Sequence, residues 1–146
     1  QSLAILEWLE ESCPPPALLP HDPLLRARVR SLVYHIACDI HPLNNLSVTG
    51  YLRDHLGASE DEVHHWYCAW VDRGFSAIEK SLADTMGDCC FGDQPTMADV
   101  CLVPQVYNAY RFNVPMEKYP NIRQVNQHCS SLQAFERAVP EAQPDA

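Results

Sequence analysis

A histidine and an asparagine four residues apart are the first candidates for chemistry in this sequence. His41 and Asn45 lie around Pro42 within a helical pattern, with Asn44 beside them. Residues four apart share one face of a helix, and a proline leaves a backbone carbonyl without its usual donor. Such a site can line a ligand cleft, or its polar side chains can simply satisfy the exposed backbone of a kinked helix. From the spacing alone, the second interpretation is favoured.

A second polar pair has the spacing of a helix capping box. The Thr96 hydroxyl can accept from an amide of the first turn, and the Asp99 carboxylate can accept from the Thr96 amide. A mostly apolar run follows from Met97 to Val106. A helix that is apolar on most of its faces is usually buried. We therefore predict a capped central helix, with Thr96 and Asp99 as structural caps rather than catalytic groups.

A metal site can be assembled on paper from His35, Cys38, Asp39 and His41. The two histidines are six residues apart, which is about 240° around a helix, so they point to different faces. The adjacent Cys89 and Cys90 have no base near them in the sequence. We predict neither a metal ion nor a cysteine nucleophile.

The totals describe an acidic protein of one domain. The chain has 146 residues, 47% of them hydrophobic and 20% charged, and a net charge of −9. This charge argues against nucleic acid and against an anionic membrane surface as partners. No apolar run approaches the roughly 20 residues of a membrane span. Seven cysteines without a C-x-x-C motif indicate reduced thiols in a cytoplasmic protein.

The elements that must position these side chains are predicted to be helices only, because no stretch alternates with period two. Signals for helix starts recur at Ser2, at Asp22 with Pro23, at Ser59 with Glu62, at Thr96 with Asp99, and at Ser130 with Gln133. We divide the chain into a short helix at 1–13, a proline-rich linker at 14–22, a helical domain at 23–140 and a loose tail at 141–146.

Three stretches of the sequence resemble a known family. The run 92–99, Gly-Asp-x-Pro-Thr-x-Ala-Asp, resembles the capped sixth helix in the C-terminal domain of cytosolic glutathione transferases. The runs 96–112 and 36–46 are similar to the zeta class, which holds the maleylacetoacetate and maleylpyruvate isomerases. The resemblance implies an all-α bundle of the glutathione transferase C-terminal type. It covers the last two thirds of such an enzyme, with 1–13 as the last helix of a thioredoxin-like N-terminal domain that is otherwise absent.

The resemblance also implies roles for five residues. Gln1 and Ser2 match the pair that holds the γ-glutamyl group of glutathione in the zeta class. His41 and Asn45 match residues that reach toward glutathione. Arg111 matches an arginine that binds a substrate carboxylate, and a guanidinium suits that task because it binds carboxylates bidentately. From the residue alone, an ordinary surface arginine at a helix end is an equally good interpretation.

In this family the glutathione thiolate adds to a cis double bond, the bond rotates, and elimination gives the trans isomer. The Ser-Ser-Cys motif that activates the thiol has no match here, so we predict no catalytic residue and an inactive isolated chain. The implied partners are glutathione, a small dicarboxylate and a second copy in a homodimer. Leu46–Val48 stand where the maleylpyruvate branch tends to have arginines, which favours the maleylacetoacetate branch.

Two other functions remain open at this stage. The chain could be a free-standing helical module for protein interaction, or part of a general glutathione transferase. An assembly module has no need for all five matched residues. Their joint presence therefore favours part of an isomerase that acts in aromatic-ring or tyrosine breakdown.

Overall fold

The computed structural model describes residues 1–13 and 15–144. Pro14 of the predicted linker and the last two residues of the predicted tail lie outside these ranges. The helices are α1 Ser2–Ser12, α2 Pro23–Tyr34, a π-helical turn His35–Ile40, α3 His41–Asn44, α4 Leu46–Leu56, α5 Glu60–Thr85, α6 Met97–Arg111, α7 Pro120–Ser130, α8 Gln133–Glu136 and a 3₁₀ turn Pro140–Ala142. No β-strand occurs in the described ranges, as predicted. None of these helices combines the length and apolarity needed to cross a membrane.

Helix caps explain most of the element boundaries. The Asp22 side chain accepts from the Leu25 amide at 2.7 Å and starts α2. Ser59 and Glu62 form the predicted capping box at the start of α5. The predicted caps at Ser2 and Ser130 are wrong. Ser2 is already the first helical residue of α1, and Ser130 is the last residue of α7, so neither side chain stands ahead of a helix.

The central helix α6 carries the core, as its apolar sequence predicts. Seven of its residues are buried, and it packs between α2 and α7. The largest fully buried side chains elsewhere come from α2, the π turn, α5, α7 and the loops: Leu19, Val29, Val33, Ile40, Val71, Phe75, Ile78, Leu82, Tyr119 and Ile122. Burying such side chains is the main favourable contribution to folding.

The predicted linker is docked onto the helices rather than free. The Glu10 carboxylate accepts from the amides of Leu18 and Leu19 at 2.8 and 3.2 Å. Leu19 is a core residue with 2% of its surface exposed. Two parallel hydrogen bonds of 2.8 and 2.9 Å join the Arg30 guanidinium to the Glu7 carboxylate. These contacts fix α1 against α2.

The segment expected as a loose tail is partly ordered. It begins with the 3₁₀ turn Pro140–Ala142. The Tyr107 hydroxyl donates to the Glu141 carboxylate at 2.6 Å, which ties this turn to α6. The Gln143 side-chain amide donates to the backbone carbonyls of Arg137 and Val139, which precede this turn.

Candidate functional site

The helix containing Pro42 is interrupted by a π turn, which the sequence analysis did not predict. Pro42 lacks an N–H group and cannot bond to the Cys38 carbonyl. The preceding turn is widened, and the His41 amide donates to the Ile36 carbonyl five residues back. Such π turns are frequent at functional sites. The predicted break is therefore confirmed, and its form brings His41 to the end of the widened turn.

Two contacts with α5 hold this interruption in place. The Trp66 indole donates to the Leu43 carbonyl at 2.8 Å. Ile40 packs against Gly74, where a Cβ atom would lie 2.3 Å from the isoleucine side chain. The missing side chain at Gly74 permits this close approach. The position of His41 is thus set by the packing of α5.

His41 and Ser2 line one cavity of about 350 Å³, which we call the α1 cavity. Helix α1 forms one wall, the π turn with α3 forms the second, and α6 forms the third. Its full lining is Ser2, Leu3, Ile5, Leu6, Ile36, Ala37, His41, Val100, Cys101, Pro104, Gln105 and Asn108. A mostly apolar wall with a few polar groups is typical of small-molecule sites. The structure therefore brings together two of the five predicted binding residues.

The start of α1 is open to a ligand. Gln1 and Ser2 are exposed, and no side chain caps the helix. The amides of the first turn carry the positive end of the helix dipole, and a carboxylate is the natural partner for them. This end of the α1 cavity can bind an anionic group.

Asn45 has a structural task that the sequence analysis missed. Its Oδ1 atom accepts from the amide and the hydroxyl of Ser47 at 2.9 and 2.8 Å, which caps α4. Asn45 is not among the residues that line the α1 cavity. Its neighbour Asn44 is buried, and neither polar atom of that side chain has a hydrogen-bond partner in the described part of the chain. The expected pairing of His41 with Asn45 in one cleft is therefore not observed.

Arg111 lies at a second cavity of about 370 Å³, which we call the Arg111 cavity. Its guanidinium is 5.8 Å from the centre of the Phe112 ring. Arg53 lines the same cavity and is paired with the Glu60 carboxylate, with one contact of 3.1 Å between Nη2 and Oε2. No carboxylate lies within 4 Å of the Arg111 guanidinium among the described residues. Arg111 can therefore bind an external carboxylate, but from a different cavity than His41.

Asp99 is fully engaged as a structural group. Its Oδ2 atom accepts from the amide and hydroxyl of Thr96 at 2.7 and 2.9 Å, and its Oδ1 atom accepts from the Cys90 amide at 2.8 Å. The Thr96 hydroxyl accepts from the Ala98 amide at 3.3 Å. Asp99 has no exposed surface. This buried capping box joins the loop before α6 to the start of that helix.

One buried cluster has the donor types of a metal site. The ligand atoms of Cys89, Asp99 and Cys129 lie within 4.8 Å of one another. The Asp99 oxygens already accept hydrogen bonds, and burial raises the pKa of the Cys129 thiol. Metal binding needs thiolates. The cluster is better explained as three packed core side chains.

Three further residues that line the α1 cavity were not predicted as site residues from the sequence. Cys101, Gln105 and Asn108 are spaced so that they share one face of α6. Burial raises the pKa of the Cys101 thiol to about 11, which argues against a nucleophile. The sequence feature that could have pointed to this face is Gln105, because it is a polar residue between apolar neighbours in the middle of a buried helix.

Comparison with known proteins defines the class of this fold and site. The family model for the C-terminal domain of glutathione S-transferase matches residues 69–133. A probable maleylacetoacetate isomerase of Vibrio cholerae is 47% identical over 146 residues, which are all of this chain and 68% of that protein. The chain belongs to the glutathione transferase family and, within it, to the zeta class of the maleylacetoacetate and maleylpyruvate isomerases.

Two solved structures extend the comparison. The holo structure of a bacterial maleylpyruvate isomerase of the zeta class has 51% identity and a TM-score of 0.97, and this chain covers 70% of it. A maleylacetoacetate isomerase from Anaeromyxobacter dehalogenans has 44% identity and a TM-score of 0.94, and this chain covers 66% of it. In both cases all of this chain is matched. The second structure has dicarboxyethyl glutathione and citrate bound in its active site.

Proposed function

We propose that this chain is part of a glutathione-dependent cis–trans isomerase that acts on maleylacetoacetate-like dicarboxylates in tyrosine or other aromatic-ring breakdown. The observation that carries the proposal is the α1 cavity, which joins Ser2 and His41 beside an open helix N-terminus. The isomerase relatives, which match the chain over its whole length, support it.

The residues around the α1 cavity fit glutathione. Glutathione carries a free carboxylate on its γ-glutamyl group, and the uncapped first turn of α1 offers amides to it. The Gln1 side chain and the Ser2 hydroxyl add hydrogen-bond donors at the same end. His41 lies at the cavity wall on the π turn. Asn45 can contribute only through its Nδ2 group, because its Oδ1 atom caps α4.

The chemistry that glutathione supplies when bound is a thiolate that adds reversibly to the cis double bond. The contribution of this chain is binding and orientation. The apolar walls from α1 and α6 exclude water from the reacting part of the substrate. Arg111 binds one carboxylate of the dicarboxylate from the Arg111 cavity, since no carboxylate of the described residues lies within 4 Å of its guanidinium.

We further propose that the thiol-activating group lies outside these 146 residues and that the whole enzyme is a homodimer of the cytoplasm. Seven free cysteines fit a reducing compartment. The experiment assays the whole gene product and the 146-residue chain with maleylacetoacetate, with and without glutathione. We expect glutathione-dependent turnover by the whole product and none by the chain. Appreciable turnover by the chain would refute this division of labour.

The same experiment addresses the other functions. A whole product that conjugates glutathione to a general electrophile but does not isomerise maleylacetoacetate would indicate a general glutathione transferase. A product that binds no glutathione at all would indicate an interaction module.

A further inference from the structure

The α1 cavity contains a buried amide that the folded chain leaves unsatisfied. Gln105 has 3% of its surface exposed. Its Nε2 atom has no hydrogen-bond acceptor among the described residues. Leaving a buried donor unpaired destabilises the folded state, and for that reason most buried polar groups have partners. A polar residue that costs stability at a cavity wall indicates a role in binding.

The other groups of the cavity define the kind of atom that would pair with this donor. No carboxylate and no lysine or arginine lines the α1 cavity in the described part of the chain. The polar members are Ser2, His41, Gln105 and Asn108, all of which can donate a hydrogen bond. A carboxylate or carbonyl oxygen of a ligand is the complement to such neutral donors in an otherwise apolar site.

Gln105 lies on a different wall of the α1 cavity from the residues assigned to glutathione. Ser2 lies on α1 and His41 at the end of the π turn, which form two of the three walls, and Gln1 immediately precedes α1. Gln105 lies on the third wall, α6, which ends at Arg111 about 9 Å further along the helix axis. Arg111 is also about 240° around the helix from Gln105, so the two residues lie on different faces of α6 and line different cavities. If the proposed function is correct, the substrate lies between the glutathione sulfur and Arg111, and its path passes this helix.

We propose that Gln105 is a substrate-binding residue whose amide donates a hydrogen bond to a carboxylate or keto oxygen of the dicarboxylate rather than to glutathione. This inference rests on the proposed function and adds a specificity-determining contact to it. In the free protein the unpaired Nε2 atom destabilises the folded state. The Nε2 atom is itself covered in the free protein, so the Gln105 side chain must rotate toward the cavity before it donates to the ligand oxygen.

The experiment measures binding by isothermal titration of the whole gene product with two separate ligands, glutathione and dicarboxyethyl glutathione. The second ligand carries a dicarboxylate on the glutathione sulfur. The variant is Gln105→Met, which keeps the length of the side chain and removes its donors. The control is Gln124→Met, the same change at an exposed position of α7. Thermal unfolding of the free proteins is recorded in parallel.

We expect Gln105→Met to bind dicarboxyethyl glutathione about tenfold more weakly, as the loss of one good hydrogen bond implies, and glutathione unchanged. We expect its unfolding temperature to be equal to or higher than that of the wild type. Equal affinities of variant and wild type for both ligands would overturn the inference, as would an equal loss for both ligands. A marked fall in unfolding temperature would show a structural amide instead. A wild type that binds neither ligand would overturn the proposed function itself.

Discussion

Gly74 and Ile40 are packed so closely that a Cβ atom on the glycine would lie 2.3 Å from the isoleucine side chain. This contact joins the middle of α5 to the last residue of the π turn, next to His41. A glycine inside a helix costs about 1 kcal/mol relative to alanine. The contact with Ile40 explains why a glycine is present at this position, since the contact determines where the π turn and His41 lie.

Substitution at this glycine has a clear expected effect. Gly74→Ala forces Ile40 or the π turn to move, so we expect a loss of about 1–3 kcal/mol in the free energy of unfolding, measured by urea denaturation. Gly50→Ala is the matched control, because a Cβ atom there meets nothing closer than 3.9 Å. That change is expected to stabilise the protein by about 0.5–1 kcal/mol. A neutral Gly74→Ala would contradict the packing argument.

The two capping boxes differ in burial, and this difference predicts unequal effects of the same change. Asp99→Asn places an NH₂ group or a weaker acceptor against the buried donors of Thr96 and Cys90. We expect a loss of about 2–4 kcal/mol in the free energy of unfolding. Glu62→Gln, in the exposed capping box of Ser59, is expected to cost much less because water replaces the lost contact. Comparable losses in the two variants would argue against a special role for the buried box.

The attachment of α1 should depend on pH through one ion pair. The hydrogen bond from Arg30 lowers the pKa of the Glu7 carboxyl below its usual 4.5. A lowered pKa in the folded state contributes stability above the unfolded pKa, and this contribution is lost as the pH falls through the folded value. We expect Glu7→Gln to reduce the free energy of unfolding by about 0.5–1 kcal/mol at pH 7 and by less at pH 3. Denaturation curves at both pH values measure this, and a penalty that grows on acidification would contradict the pairing.

Arg111 and Arg53 share a cavity but differ in their pairing, which makes one a control for the other. We expect Arg111→Lys in the whole gene product to lower kcat/KM for maleylacetoacetate by about 10- to 100-fold, because an ammonium cannot bind a carboxylate bidentately. Arg53→Lys should change kcat/KM little, since Glu60 already holds that guanidinium. Initial rates at subsaturating substrate measure both. An Arg111 variant with wild-type kcat/KM would remove the proposed carboxylate contact.

The helices could be predicted from the sequence because their signals are local. The caps at Asp22, Ser59 and Thr96 join residues two or three apart, and the apolar run of α6 lies within one short segment. The structure has all of them. Ser2 and Ser130 are residue types that often cap helices but do not act as caps here, since Ser2 is itself the first residue of α1 and Ser130 is the last residue of α7.

The candidate site could be predicted only in part because it depends on tertiary packing. Pro42 indicated an interruption, but neither its form as a π turn nor the packing of Ile40 against Gly74, far away in the sequence, could be predicted from the local pattern. Asn45 has the spacing of a His41 partner, yet the break before α4 turns it into a cap. Gln105 became a candidate binding residue only because the folded chain places it at the wall of the α1 cavity.

The affinity of the whole gene product for glutathione, compared between wild type and Ser2→Ala, tests the central claim most directly. If the α1 cavity holds the γ-glutamyl carboxylate, loss of the Ser2 hydroxyl removes a hydrogen bond to a charged group. The dissociation constant should then rise about tenfold or more. Ser31→Ala is the control, because Ser31 lines another part of the surface. A dissociation constant for Ser2→Ala equal to that of the wild type would contradict the assignment of glutathione to this cavity.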